Sequence, residues 1–166
     1  MQIAIATVAS PLGDLTVCAT AAGLCGLSLG GRDWLDGALA RRFGAVELVP
    51  APDPHGACTA LSAYLRGELD AIDALPVDAG GTPFQREVWA ALRRIRAGRT
   101  STYGRLAAEI GRPSAVRAVG AANGQNPIAL VVPCHRVIAS DGKLQGYGGG
   151  LERKRWLLVH ERALLA

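Results

Sequence analysis

Cys134, His135 and Arg136 set a thiol, an imidazole and a guanidinium side by side in the chain. Apolar β-branched residues flank them in the run Val131-Val132-Pro133-Cys134-His135-Arg136-Val137-Ile138. The thiolate is the reactive form of cysteine, and nearby cationic groups lower the thiol pKa and raise its population at neutral pH. Pro133 has no amide hydrogen and restricts Val132 to extended geometry. These residues predict a strand that ends at Cys134 and holds the sulfur on a fixed backbone. The same tripeptide also fits a buried cysteine acting as a small hydrophobe beside two ordinary surface residues. The tripeptide alone leaves both readings open.

The elements that would position this stretch follow from patterning. A chain of 166 residues, 49% of them hydrophobic, can bury a core in one domain or two small ones. That composition excludes disorder. Residues 3–8 and 12–19 read as strands joined by the turn-like Ser10-Pro11-Leu12-Gly13, and Leu24 to Leu29 adds a third, giving an antiparallel meander. Trp34, Leu35, Leu39 and Phe43 recur at helical spacing, and a second helix covers Cys58 to Arg66 after the linker at 51–55. The Pro/Gly-containing stretch Leu75 to Thr82 is the best boundary. It divides the chain into residues 1–76, a small sheet-and-helix domain, and residues 77–166, a mostly helical one.

In the second domain Thr82-Pro83 reads as an N-cap and first helical residue. Phe84, Val88, Leu92 and Ile95 mark the apolar face, and Gly98 stops the helix. Residues 102–111 form a short helix, and Ser114 can cap another over 115–122. Helix, glycine turn, helix is the helix-turn-helix pattern, with an ordinary helical hairpin as the alternative. Gly120, Gly124, Asn126 and Pro127 read as a loop, Ile128 to Val132 as a strand, Gly146 to Gly150 as irregular chain and Arg153 to Leu165 as a closing helix.

Charge is divided unevenly. Residues 1–83 carry four arginines against nine acids, a net of −5, while fourteen basic residues face five acids from Phe84 onward, a net of +9. A basic C-terminal half suits a polyanion, above all nucleic acid. The four cysteines, Cys18, Cys25, Cys58 and Cys134, form no CxxC pair, so zinc-finger spacing is absent and free thiols in a reducing cytosol are expected. Neither a secretion signal nor a membrane-spanning apolar run is read from the sequence. The glycine run lacks the GxxxxGK[ST] pattern of a phosphate loop.

A cysteine after a strand, a helix-turn-helix upstream and a glycine-rich loop downstream together resemble the 6-O-alkylguanine-DNA alkyltransferases. The resemblance rests on Pro133-Cys134-His135-Arg136-Val137 and spans Gly81 to Glu161. Gly81-Thr82-Pro83-Phe84-Gln85, Ser101-Thr102-Tyr103-Gly104, Arg117-Ala118-Val119-Gly120, Asn126-Pro127, Gly146-Tyr147-Gly148-Gly149-Gly150 and His160-Glu161 extend it. It implies an α/β (α+β) protein with a structural N-terminal domain and a DNA-binding, catalytic C-terminal one. The implied function is DNA repair by direct damage reversal. One alkyl group moves irreversibly from 6-O-alkylguanine to the protein's own cysteine, with 4-O-alkylthymine left open as a second substrate.

By this resemblance Cys134 is the nucleophile. His135 takes the thiol proton through a water, Glu161 orients the imidazole, and Tyr103 donates toward the guanine leaving group. This is the logic of nucleophile, base and orienter. The base must be flipped out of the duplex. Arg117 resembles the finger that fills the vacated stack, and Thr102, Ala118, Gly120 and Arg136 join it as implied DNA contacts. Asn126 ties the recognition element to the active-site strand, and Val137, Tyr147 and Gly148 line the base pocket. Minor-groove binding to double-stranded DNA without sequence preference follows. A monomer in the cytoplasm, with no cofactor and no metal, is expected.

Two features depart from the family. Arg96 stands where relatives often place proline before the helix-turn-helix, which either changes the loop or adds a phosphate contact. Some relatives bind zinc in the N-terminal domain, whereas here Cys18 and Cys25 have no matching histidine set, so no zinc is expected. Three rivals remain: a damage-recognition module without transfer, a cysteine hydrolase and a transcriptional regulator. The thiol argues against the first, no acyl pocket is visible for the second, and no effector domain for the third.

Overall fold

The computed structural model describes residues 1–144 and 146–165. They form two compact units, Met1–Gly80 with Pro127–Val131, and Gly81–Asn126 with Val132–Ala166.

Burial along β2 (Leu15–Ala19) is complete, which marks an interior strand. It lies between β3 (Leu24–Leu29) and β1 (Gln2–Val8), antiparallel to both. β4 (Glu47–Pro50), absent from the sequence reading, extends the sheet to the order β3-β2-β1-β4 and runs parallel to β1. A parallel partner requires a crossover, and α1 (Asp33–Phe43) supplies it. Pro50 is tolerated because β4 is an edge strand. Leu35 and Leu39 of α1 pack with Ile3, Cys18 and Cys25, whereas Trp34, expected on that face, is 48% exposed. Gly26 makes the contact possible, since a Cβ there would lie 2.3 Å from Leu35 Cδ1. Burial raises the thiols of Cys18 and Cys25 to about 12 and about 11, so both are inert core residues. α2 (Ala57–Leu65) is capped by Asp53, which accepts from the Cys58 amide at 2.7 Å.

The predicted strand over residues 128–132 is not formed. Leu27 donates to the Pro127 carbonyl at 2.9 Å and makes a single bridge with Ile128. Leu130 then takes φ +69°, in the left-handed region, and breaks the extended run.

The second unit begins at α3 (Pro83–Arg93), whose N-terminus carries a full capping box. Thr82 accepts from the Gln85 amide at 3.1 Å and Gln85 Oε1 accepts from the Thr82 amide at 2.9 Å. Trp89 donates to the Ala122 carbonyl at 2.9 Å, tying α3 to α5 (Val116–Gly124). α4 (Tyr103–Glu109) precedes α5, and α6 (Leu151–His160) ends the unit. Gly120 and Gly124 lie inside α5 instead of in a loop, because burial of Val119 and Ala122 outweighs the low helix propensity of glycine. Ala115, not Ser114, occupies the N-cap of α5 and makes no side-chain cap. Two short strands missed in the sequence, β5 (Ser101–Thr102) and β6 (Val137–Ile138), pair in parallel.

Candidate active site

Cys134 opens a 3-10 turn, Cys134–Arg136, instead of ending a strand. Its amide donates to the Val132 carbonyl at 2.8 Å. Asn126 Nδ2 donates to the same oxygen at 2.7 Å. Asn126 follows the end of α5, so this bond clasps the two ends of the 127–131 excursion and fixes the backbone that presents the sulfur.

His135, Glu161 and Arg136 form a buried polar chain. His135 is 0% and Glu161 1% exposed, with His135 Nε2 2.9 Å from Glu161 Oε2. Arg136 grips the carboxylate with two parallel bonds, Nε to Oε1 and Nη2 to Oε2, both 2.8 Å. Its Nη1 donates to the Ile95 carbonyl just beyond α3 at 2.6 Å. Fork-on-carboxylate pairing of this kind is among the stronger and more directional hydrogen bonds. Arg136 was expected to contact DNA. At 2% exposure and committed to Glu161, it cannot reach a phosphate.

These contacts decide the charges. Burial drives the Glu161 pKa up, but hydrogen bonds from Arg136 and His135, aided by their charges, hold it well below the usual carboxylate range. Glu161 is therefore ionised. Burial also pushes His135 down, with Arg136 and Lys154 adding to the effect against the opposing pull of Glu161. The imidazole at rest is neutral. An ionised carboxylate only accepts, so Nε2 carries the hydrogen and Nδ1 keeps a lone pair. Nδ1 is buried with no hydrogen-bond partner among the described residues.

Cationic neighbours were expected to lower the Cys134 pKa. Burial dominates instead and raises it, while a hydrogen bond from Asn126 and the charge of Lys154 pull it partly back. The resting group is a thiol, next in sequence to a neutral imidazole.

Tyr103, at the first position of α4, is half-buried, and burial followed by the nearness of Cys134 raises its phenol. Gly120 and Gly146 border it, and a Cβ at either would meet Tyr103 at ordinary contact distance, 3.9 Å from its ring and 3.5 Å from its hydroxyl. The Tyr147 ring meets His135 edge-on, with centroids 6.5 Å apart. Val137 is fully buried, Gly148 is exposed, and Arg117 and Ala118 stand exposed on α5. Thr102, assigned to DNA contact from the sequence, caps α4 by accepting from the Arg105 amide at 3.2 Å.

Lys154 escaped the sequence reading. It is 0% exposed, and its ammonium donates to the Val137 carbonyl at 2.6 Å. Its signal was periodicity: Lys154, Leu157 and Leu158 share one face of α6, the C-cap Glu161 follows at the same spacing, and all are buried.

Two family models divide the chain. The 6-O-methylguanine DNA methyltransferase ribonuclease-like domain matches residues 3–79 and the DNA-binding domain of the same family matches residues 83–163. The chain belongs to the 6-O-methylguanine-DNA methyltransferase family. A methylated-DNA–protein-cysteine methyltransferase of Salmonella typhimurium is 57% identical over 124 residues, covering 75% of this chain and 72% of that protein. The Mycobacterium bovis member is 45% identical over 160 residues, covering 95% and 91%. Among solved members, the Mycobacterium tuberculosis O6-methylguanine methyltransferase superposes with a TM-score of 0.79 at 42% identity, covering 97% of this chain and 93% of that one. Mycobacterium tuberculosis OGT in complex with DNA gives 0.73 at 39% identity, covering 98% and 94%. The family's α/β architecture is thus the architecture of this chain.

Proposed function

We propose that this protein repairs DNA by moving an alkyl group from guanine oxygen 6 onto Cys134, once per molecule. The observation that carries the reading is the thiol next in sequence to a neutral, buried His135 held by Glu161, within a chain of this family. Nδ1 of His135 takes the Cys134 proton, through a water in the family's relay. Sulfur then attacks the sp³ alkyl carbon; the S–C bond forms as the C–O6 bond breaks. Guanine leaves as an anion, and the Tyr103 phenol, raised enough to remain protonated, donates to it. Glu161, fixed by Arg136, stabilises the imidazolium that forms. A thioether is a very poor leaving group, so no turnover follows.

The reacting carbon lies inside a duplex, so the base is flipped. Exposed Arg117 fills the gap, and the small residues Ala118, Gly120 and Ala121 suit close approach to the minor groove. Backbone and minor-groove contacts give little sequence preference. Val137, Tyr147 and Gly148 line the base pocket. The protein acts as a monomer in the cytoplasm without a cofactor. Among the described residues, no helix is long and apolar enough to cross a membrane.

Intact-protein mass after incubation with duplex DNA containing 6-O-methylguanine tests the reading. One methyl group per molecule, mapped to Cys134 and absent from Cys134→Ala, is the expected result. Tight lesion binding without a mass change sinks it and promotes a damage-recognition module.

A further inference from the structure

We infer that Gly98, in the turn between α3 and β5, is a positioning residue for the transfer. It sets the backbone of Glu161 and, through Glu161, the orientation of the His135 ring. The inference deepens the alkyl-transfer reading and rests on that reading for its substrate.

The turn meets the buried ion pair at two points. The Ile95 carbonyl accepts from Arg136 Nη1 at 2.6 Å, a third bond for a guanidinium already committed twice to Glu161. Three residues on, Gly98 lies against the main chain of the other partner. A Cβ on Gly98 would stand 3.3 Å from the Glu161 carbonyl oxygen, so a side chain there forces that carbonyl back by a few tenths of an ångström. Gly98 also takes φ +87°, in the left-handed region that glycine enters freely. Conformation and close approach therefore both call for glycine.

Glu161 has little slack to absorb a push. Its carboxylate accepts from His135 and twice from Arg136, and its amide donates to the Leu157 carbonyl at 2.9 Å as α6 closes. Arg162, the next residue, is left-handed at φ +61° without being glycine. Such a conformation costs energy and persists only where the surroundings over-determine it. The Ala163 amide, on the Leu158 carbonyl at 2.8 Å, holds this turn shut. Glu161 is thus fixed through its side chain and its flanking backbone, with Gly98 against its carbonyl.

The same segment reaches the acid side of the proposed reaction. Beyond Gly98 the chain forms β5, where Ser101 pairs with Val137, the residue after the turn that carries Cys134. Thr102 then caps the helix that begins with Tyr103. Residues 95–103 therefore run from the Arg136–Glu161 pair to the phenol, tying the proton-accepting His135 to the proton-donating Tyr103.

The test compares Gly98→Ala with Gly142→Ala on the full chain. Gly142 is also left-handed, at φ +82°, but a Cβ on it meets nothing within 4 Å. The two variants share the backbone strain, and only the first presses on Glu161. In NMR spectra of ring-labelled histidine without DNA, the His135 Nε2–H signal is expected to shift and to exchange faster in Gly98→Ala alone. In single-turnover transfer from duplex 6-O-methylguanine, the rate constant at saturating DNA should fall about fivefold in Gly98→Ala, since a misplacement of about 1 Å costs about 10²-fold. The half-saturating DNA concentration should not change. An unchanged His135 signal, a wild-type rate in folded Gly98→Ala, or matching losses in both variants overturns the inference. Gly98→Asn is a second variant, because asparagine enters the left-handed region more readily yet keeps the Cβ. If neither Gly98 variant folds while Gly142→Ala does, Gly98 serves structure alone and the inference falls. A wild type that leaves 6-O-methylguanine intact would instead sink the functional reading, while the DNA-free spectra still judge Gly98.

Discussion

Glu161 accepts from Nε and Nη2 of Arg136 and from Nε2 of His135, all inside the protein. Removing one partner of a buried ion pair leaves the other charge uncompensated and costs about 3–5 kcal/mol. Glu161→Gln should therefore lower the urea midpoint sharply at pH 7. The pH dependence has a definite sign. The folded Glu161 pKa lies well below the ordinary 4.5, so its stabilisation is complete above that value and fades as pH falls toward the depressed one. The gap between wild type and Glu161→Gln should be widest near neutrality and narrow in acid. A gap independent of pH between 7 and 3 in urea titrations would remove Glu161 as the titrating anchor. At this scale the sequence displayed the thiol, imidazole and guanidinium but not their depth. Arg136 was a DNA contact only by the family resemblance, and only the fold shows its guanidinium closed on Glu161.

Helix starts are the elements that aim the site. Tyr103 is the first residue of α4, and its position depends on Thr102, whose hydroxyl caps that helix. Thr102→Ala should cost about 1 kcal/mol, the usual value of a lost cap, and Thr102→Ser should recover most of it. Chemical denaturation checks the stability. If the alanine variant keeps wild-type stability, the cap contributes nothing and Thr102 reverts to the role assigned from sequence. The capping box at Thr82 and Gln85 was legible in part because threonine before proline is a local signal. The segment 128–132 was misread for the opposite reason. Its β-branched residues favour extension, yet Leu130 is left-handed, and Pro127 and Ile128 pair with Leu27, a partner far away in sequence.

Over the whole chain, nine acids and four arginines fall in the first 83 residues, and fourteen basic residues with five acids in the remainder. A net charge of +4 therefore understates the attraction of the second unit for a polyanion. Affinity for undamaged duplex should fall steeply with salt, as counterion release requires. Arg96, exposed just beyond α3, is a candidate for one such contact. Arg96→Ala should make the slope of log K against log salt shallower by about 0.9. Fluorescence anisotropy across a KCl series measures this, and an unchanged slope would exclude Arg96 from the phosphate contacts. By itself the sequence determined the reactive residue types, the helices with strong periodicity, the three-strand meander and the charge division, because propensity, spacing and composition are local properties. Tertiary structure alone decided the parallel β4, the burial of Arg136 and Lys154, the neutral state of His135 and the protonated state of Cys134. Those follow from desolvation and from partners brought together by folding, such as Arg136 with Glu161 and Lys154 with Val137, which no local pattern records.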